Sequence, residues 1–142
     1  MSGEFTSGPA RKILVVDDDK IILKTLSLEL QRADYQVFTA LDGAEAVAAA
    51  RKENPDLILM DICLPPAVDG VPWDGFRVMN WLRRLDEEKK TPIIIMTGSE
   101  DPKIKERAMT SKVVAFFHKP IDHQDLLMVI RSVLGGSGSN VI

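Results

Sequence analysis

Ile13-Leu14-Val15-Val16-Asp17-Asp18-Asp19 decides the fold: four apolar residues, three of them β-branched, run straight into three carboxylates. A run this short and this apolar suits a strand buried on both faces, as in a parallel sheet. The pattern recurs in Leu57-Ile-Leu-Met60, Ile93-Ile-Ile-Met96 and Val113-Val-Ala-Phe-Phe117, with a weaker copy in Val37-Phe-Thr-Ala40. Between the runs, apolar residues return at helical spacing. Ile22, Leu26 and Leu30 predict a helix near 20–32, Ala44, Val47 and Ala48 one near 43–52, and Val78, Leu82 and Leu85 one near 75–86. Leu126, Ile130, Val133 and Leu134 mark a last helix, with Asp122 as its N-cap. Only Ile104, Ala108 and Met109 serve 101–111, so that helix should be the least firmly docked. Five strand–helix units with right-handed crossovers make a doubly wound, five-stranded parallel sheet flanked by five helices.

Composition bounds the function. The 142 residues amount to one domain, with 45% hydrophobic and 27% charged residues, as in an ordinary globular chain. A net charge of −3 gives no electrostatic reason to expect direct nucleic-acid binding or an anionic membrane. One cysteine excludes an internal disulfide and fits a reducing, cytoplasmic setting. No apolar run approaches the ~18 residues of a membrane span, and no signal peptide opens the chain. The Gly- and Ser-bearing ends, 1–10 and 135–142, read as flexible tails around a domain at 11–134.

In doubly wound sheets, ligands bind beyond the carboxyl ends of the strands, where the winding reverses. The strands here end in Asp17-Asp18-Asp19, Asp61, Thr97 and Lys119-Pro120. Carboxylates gathered at one edge repel and raise one another's pKa unless a cation intervenes. A hard divalent ion such as Mg²⁺, which takes oxygen ligands, removes that problem. A lysine and a hydroxyl that do more than neutralise the acids suit phosphoryl oxygens, so the set reads as metal-assisted phosphoryl transfer to a carboxylate.

At these residues the sequence resembles the receiver domains of bacterial two-component response regulators. The matching stretches are ILVVDDD (13–19), LILMDICLP (57–65), DGF (74–76), IIIMTG (93–98) and FFHKP (116–120). Each is weak alone, but all of them in this order are specific. The resemblance implies the flavodoxin-like strand order 2-1-3-4-5, which the residues by themselves do not give. It implies that Asp61 accepts a phosphoryl group from a histidine kinase or phosphotransfer protein. It also implies that Asp17 and Asp18 hold Mg²⁺ together with Asp61 and the backbone carbonyl of Cys63. Thr97 and Lys119 would bind the phosphoryl oxygens, and Thr97 and Phe116 would act as the switch. The Lys119-Pro120 bond would be cis. Such a domain is a signalling module rather than an enzyme with a turnover substrate. It passes its state to a downstream protein or to an output domain elsewhere in a longer chain, and it admits homodimerisation.

Plainer readings compete. Asp19 reads as a helix cap rather than a ligand, and Phe116 as core packing as well as switch. His118 and His123 lack partners at metal-ligand spacing, and Cys63 reads as a structural or solvent-facing thiol. A flavin-binding redox protein of the same architecture would need a phosphate-cradling loop where three aspartates stand. An aspartyl-phosphate hydrolase could use the Asp17 and Asp19 spacing but would leave Asp61 idle. A receiver-like binding module that is never phosphorylated would not need the acid–Thr–Lys set.

Two departures from the family pattern stand out. Pro66 to Trp73 stand before Asp74-Gly75-Phe76, roughly six residues more than the family pattern, if that triplet opens the third helix; Asp69-Gly70 is the other candidate. This 66–73 insertion leaves the active-site end of a strand and is expected either to be a neutral surface excursion or to help select the kinase. Before the last strand the family often has Ala-Gly-Ala, and this chain has Thr110-Ser111-Lys112-Val113. A left-handed lysine costs on the order of 1 kcal/mol, so the turn is expected to take another shape.

Overall fold

The computed structural model describes residues 10–64, 75–85 and 87–135. The tails at 1–9 and 136–142 and the 66–73 insertion, with both candidate aspartates at 69 and 74, lie outside the described residues. Strands and helices alternate as β1 (Lys12–Val16), α1 (Lys20–Arg32), β2 (Gln36–Ala40), α2 (Gly43–Glu53) and β3 (Leu57–Asp61). They continue as α3 (Gly75–Leu85), β4 (Ile93–Thr97), α4 (Pro102–Thr110), β5 (Ala115–His118) and α5 (His123–Leu134). The sheet is parallel throughout, in the order β2-β1-β3-β4-β5.

The period of two in the strands builds two cores. Ile13, Val15, Leu57, Leu59, Ile94 and Met96 pack under Leu23, Leu26 and Leu30 of α1 and Leu126, Ile130 and Leu134 of α5. The alternate residues Leu14, Val16, Ile58, Met60 and Ile95 pack against α2, α3 and α4. Each fully buried aliphatic side chain stabilises by roughly 1.5–3 kcal/mol, and β1, β3 and β4 supply them from both faces. Winding goes from β1 outward to β2, then back across β1 to β3, so it reverses between β1 and β3.

The helices begin where short acids can cap them. Asp19 accepts hydrogen bonds from the amides of Ile21 and Ile22, and Asp122 from those of Gln124 and Asp125. Asp42 and Asp101 cap α2 and α4 in the same way. The start of α3 is different. A Cβ on Gly75 would stand 2.6 Å from the Ile62 Cα and 2.9 Å from the Asp61 carbonyl oxygen, so only glycine fits. The Gly75 amide donates to the Ile62 carbonyl at 2.7 Å, bringing α3 directly onto the chain that leaves β3.

Several expectations need correction. In α2 the inward stripe is Gly43 and Ala46, with Val47 and Ala50 packed beside them, while Ala44 and Ala48 face solvent. The stripe of α1 runs through Leu23 rather than Ile22, which is half-buried. In α3, Phe76 and Met79 join Val78 and Leu82, and Leu85 is exposed. The last strand starts at Ala115, not Val113, and its residues are only partly buried because β5 is an edge strand. Finally, Lys112 does take a left-handed conformation, φ 61°, at the end of α4. Its carbonyl accepts a hydrogen bond from Arg83 Nη2 at 3.2 Å, which helps offset the backbone cost. The weak docking expected of α4 agrees with its single buried residue, Ala108, and with the exposure of Met109.

Candidate functional site

Register brings the strand ends together. Asp17 follows Val16, which faces Met60; Asp61 faces Met96, and Thr97 faces His118, the residue before Lys119. Asp17, Asp61 and Thr97 are the buried polar side chains among the described residues, and all three lie at this one edge. Buried polar groups need partners, and each has them.

Lys119 is the hub. Its Nζ donates to Asp17 Oδ2 at 2.6 Å and to Asp61 Oδ2 at 2.8 Å. Its own amide donates to the Thr97 carbonyl at 2.8 Å, which locks β5 to β4 at the point where the side chain departs. The following Lys119-Pro120 bond is cis. The second oxygen of each carboxylate is held by backbone: Asp17 Oδ1 by the Asp19 amide and Asp61 Oδ1 by the Cys63 amide, both at 2.8 Å. Thr97 Oγ1 accepts from the Ser99 amide at 3.0 Å and lies 3.3 Å from Cys63 Sγ. Asp18 is exposed, and one carboxylate oxygen from each of Asp17, Asp18 and Asp61 lies within 4.8 Å of the others. Phe116 is half-buried on the α4 side of β5, packed against the core that α3 and α4 share.

Charge and burial compete here. Burial pushes the Asp61 carboxyl above its usual value, and the hydrogen bonds from Lys119 and the Cys63 amide oppose that without cancelling it. Burial alone would lower the Lys119 ammonium, but its hydrogen bonds to Asp17 and Asp61 outweigh it and leave it raised. One ammonium thus stands between two carboxylates, and the third acid, Asp18, faces water beside them.

Without a phosphoryl group at the site, the Lys119 ammonium pairs with Asp17 and Asp61. Sequence reasoning missed the Cys63–Thr97 contact, which spans 34 residues of chain and leaves no local signal. The set of oxygen donors suits a hard divalent cation: three carboxylates, one open to water, at the reversal of winding.

A sequence model of the response regulator receiver domain matches residues 13–131. The chain belongs to the response regulator receiver family. This receiver is 33% identical over 125 residues to the protein PilH of Pseudomonas aeruginosa, covering 88% of this chain and 98% of PilH. It is 32% identical over 123 residues to RpaA of Synechocystis, a DNA-binding dual master transcriptional regulator. There it covers 87% of this chain and 48% of RpaA, so it spans about half of that relative. Among solved structures, the chemotaxis response regulator CheY4 of Vibrio cholerae superposes with a TM-score of 0.74 at 32% identity, covering 87% of this chain and 98% of that one. The receiver is therefore a signalling module of two-component systems. Among its described residues no helix is long and apolar enough to cross a membrane.

Proposed function

We propose that this receiver takes a phosphoryl group onto Asp61 from a histidine kinase or phosphotransfer protein and thereby changes which partner it binds. The observation that carries the reading is the Lys119 ammonium shared by Asp61 and Asp17, with Asp18 beside them at the solvent side. A carboxylate oxygen of Asp61 forms the new bond to phosphorus. The bond from phosphorus to the donor's imidazole nitrogen breaks, and that nitrogen keeps the electron pair. Asp17, Asp18, Asp61 and the Cys63 carbonyl would hold Mg²⁺, which when bound supplies positive charge for the phosphoryl oxygens.

The other roles follow from what each side chain touches. The Cys63 amide on Asp61 Oδ1 fixes the carboxylate's orientation without a flexible side chain. Lys119 exchanges one carboxylate contact for a phosphoryl oxygen and stays charged throughout. Thr97 turns its hydroxyl to the same group, and its departure from the Ser99 amide and Cys63 Sγ changes the packing around half-buried Phe116. The downstream protein or output domain reads that change.

Incubation of the full chain with Mg²⁺ and acetyl phosphate should put one base-labile phosphate on the wild type and none on Asp61→Asn. Labelling of Asp61→Asn to the same extent, or no label on either protein, would refute the assignment. The second outcome would favour a binding module that works unphosphorylated.

A further inference from the structure

The pole of the molecule opposite Asp61 holds a second built feature. A cleft of about 720 Å³ opens among the starts of β3, β4 and β5, the end of α2 and the end of α3. Its floor is aliphatic: Leu85 and Val114 are exposed, above the buried core residues Ile58, Leu82 and Ile93. Its rim carries Arg51, Arg83, Lys90 and Lys112, against one acid, Glu87, among the described residues. In a chain of net charge −3, this is a local reversal of sign. Among the described residues, Arg51, Lys90 and Lys112 make no side-chain ion pair.

The backbone is held there under strain. Among the described residues, four that are not glycine have left-handed φ, and three of them line this cleft: Asn54 (51°), Lys90 (54°) and Lys112 (61°). Asn accepts that conformation readily; lysine does not. Both strained lysines are braced by neighbours. Lys89 Nζ donates to the carbonyls of Asn54 and Pro55 at 3.0 and 2.7 Å, tying the turn that carries Lys90 to the cleft wall. Arg83 Nη2 donates to the Lys112 carbonyl at 3.2 Å and ties down the other side. Such strain persists where surrounding contacts over-determine it, and it gathers at binding sites.

We propose that this cleft binds an acidic peptide segment of a partner protein, with an aliphatic side chain seated against the exposed Leu85 and Val114 and carboxylates on the Arg51, Lys90 and Lys112 rim. Charge complementarity selects the acid, and the floor selects an aliphatic anchor. Among the described residues no aromatic ring lines the cleft, so they offer nothing on which a nucleic-acid base would stack. Its place at the amino ends of the strands leaves the Asp61 edge open, so a partner held here does not compete with a phosphodonor.

The test uses the full chain, labelled with ¹⁵N, and an octapeptide of alternating acidic residues, leucine and isoleucine. Amide shifts should change around 51–58, 90–93 and 112–114 and stay still around 17–19, 61–63 and 97–99. Lys90→Glu with Lys112→Glu should weaken the peptide by about tenfold or more, as should replacing its leucine and isoleucine by serine. Lys90→Gly with Lys112→Gly should weaken it several-fold too, while the melting temperature does not fall, because glycine relaxes both left-handed positions. Asp61→Asn should bind the peptide like wild type. Absence of shifts at the cleft, charge reversal without effect, or tighter binding of an oligothymidylate of equal charge would each overturn the proposal.

Discussion

Replacing Lys119 by Met keeps most of the aliphatic stem and removes the charge from the centre of the site. The ammonium makes two short bonds, 2.6 Å to Asp17 and 2.8 Å to Asp61, whose side chains are 0% and 5% exposed. Without it, carboxylate oxygens within 4.8 Å of one another repel by about 3 kcal/mol at an effective dielectric of ~20. Loss of one partner from a buried ion pair usually costs about 3–5 kcal/mol, and the 18% exposure of the lysine trims that to about 2–3. In a chain of this size that is a fall in Tm of roughly 6–12 °C near neutral pH.

The pH dependence fixes the cause. Asp61 already has a folded-state pKa raised by burial, and losing Lys119 removes the chief influence that lowers it. A raised acid contributes stability below its unfolded value that disappears as pH climbs through the folded one. The deficit of Lys119→Met should therefore be small at about pH 4.5 and reach full size by about pH 7.5. Urea unfolding followed by far-UV circular dichroism at the two pH values measures it, and millimolar MgCl₂ should restore more stability to the variant than to wild type. A variant as stable as wild type at the higher pH, or a deficit equal at both, would falsify the electrostatic account.

Three further substitutions separate neighbouring roles. Gly75→Ala pushes a methyl into the Ile62 and Asp61 backbone and should cost about 1–3 kcal/mol in urea unfolding, where an ordinary exposed helix start would gain from alanine. Asp18→Asn, at an exposed residue, should leave stability within about 0.5 kcal/mol but weaken Mg²⁺ binding measured by isothermal titration calorimetry. Asp19→Ala, next along the chain, should do the opposite: loss of two capping bonds costs about 1 kcal/mol, and the metal titration is unchanged.

The parallel sheet was legible because β1, β3 and β4 are buried on both faces, so every residue of each run had to be apolar, whereas its strand order came only with the family resemblance. Edge strands escape that rule: Ala115 to His118 are half solvated, and the apolar Val113-Val114 in front of them lies in the turn. The face of α2 was misread because alanines at 44, 46, 48, 49 and 50 point in nearly every direction and carry no periodic signal. The site residues could be picked out at strand ends, since burial there demands a reason for each polar group. Their pairing could not. Whether Lys119 reaches Asp17, 102 residues away, depends on the offset between β1 and β5 across the whole sheet, which no local pattern encodes. Lys112 illustrates the opposite limit: local preference argued against φ 61°, and Arg83, 29 residues earlier, overrode it.

The seating of Gly75 on Ile62 has a consequence for how such a domain can diversify. The chain leaves β3 through Leu64, which is 7% exposed, and comes back at a glycine bonded to the carbonyl two residues before it. Both ends of the intervening segment are thus clamped to the same short piece of backbone, whatever lies between. Doubling the length of a flexible loop adds only about 0.6 kcal/mol of closure entropy. A change of length between Leu64 and Gly75 therefore leaves the backbone that carries Asp61 anchored, and the carboxylates and the lysine should keep their places.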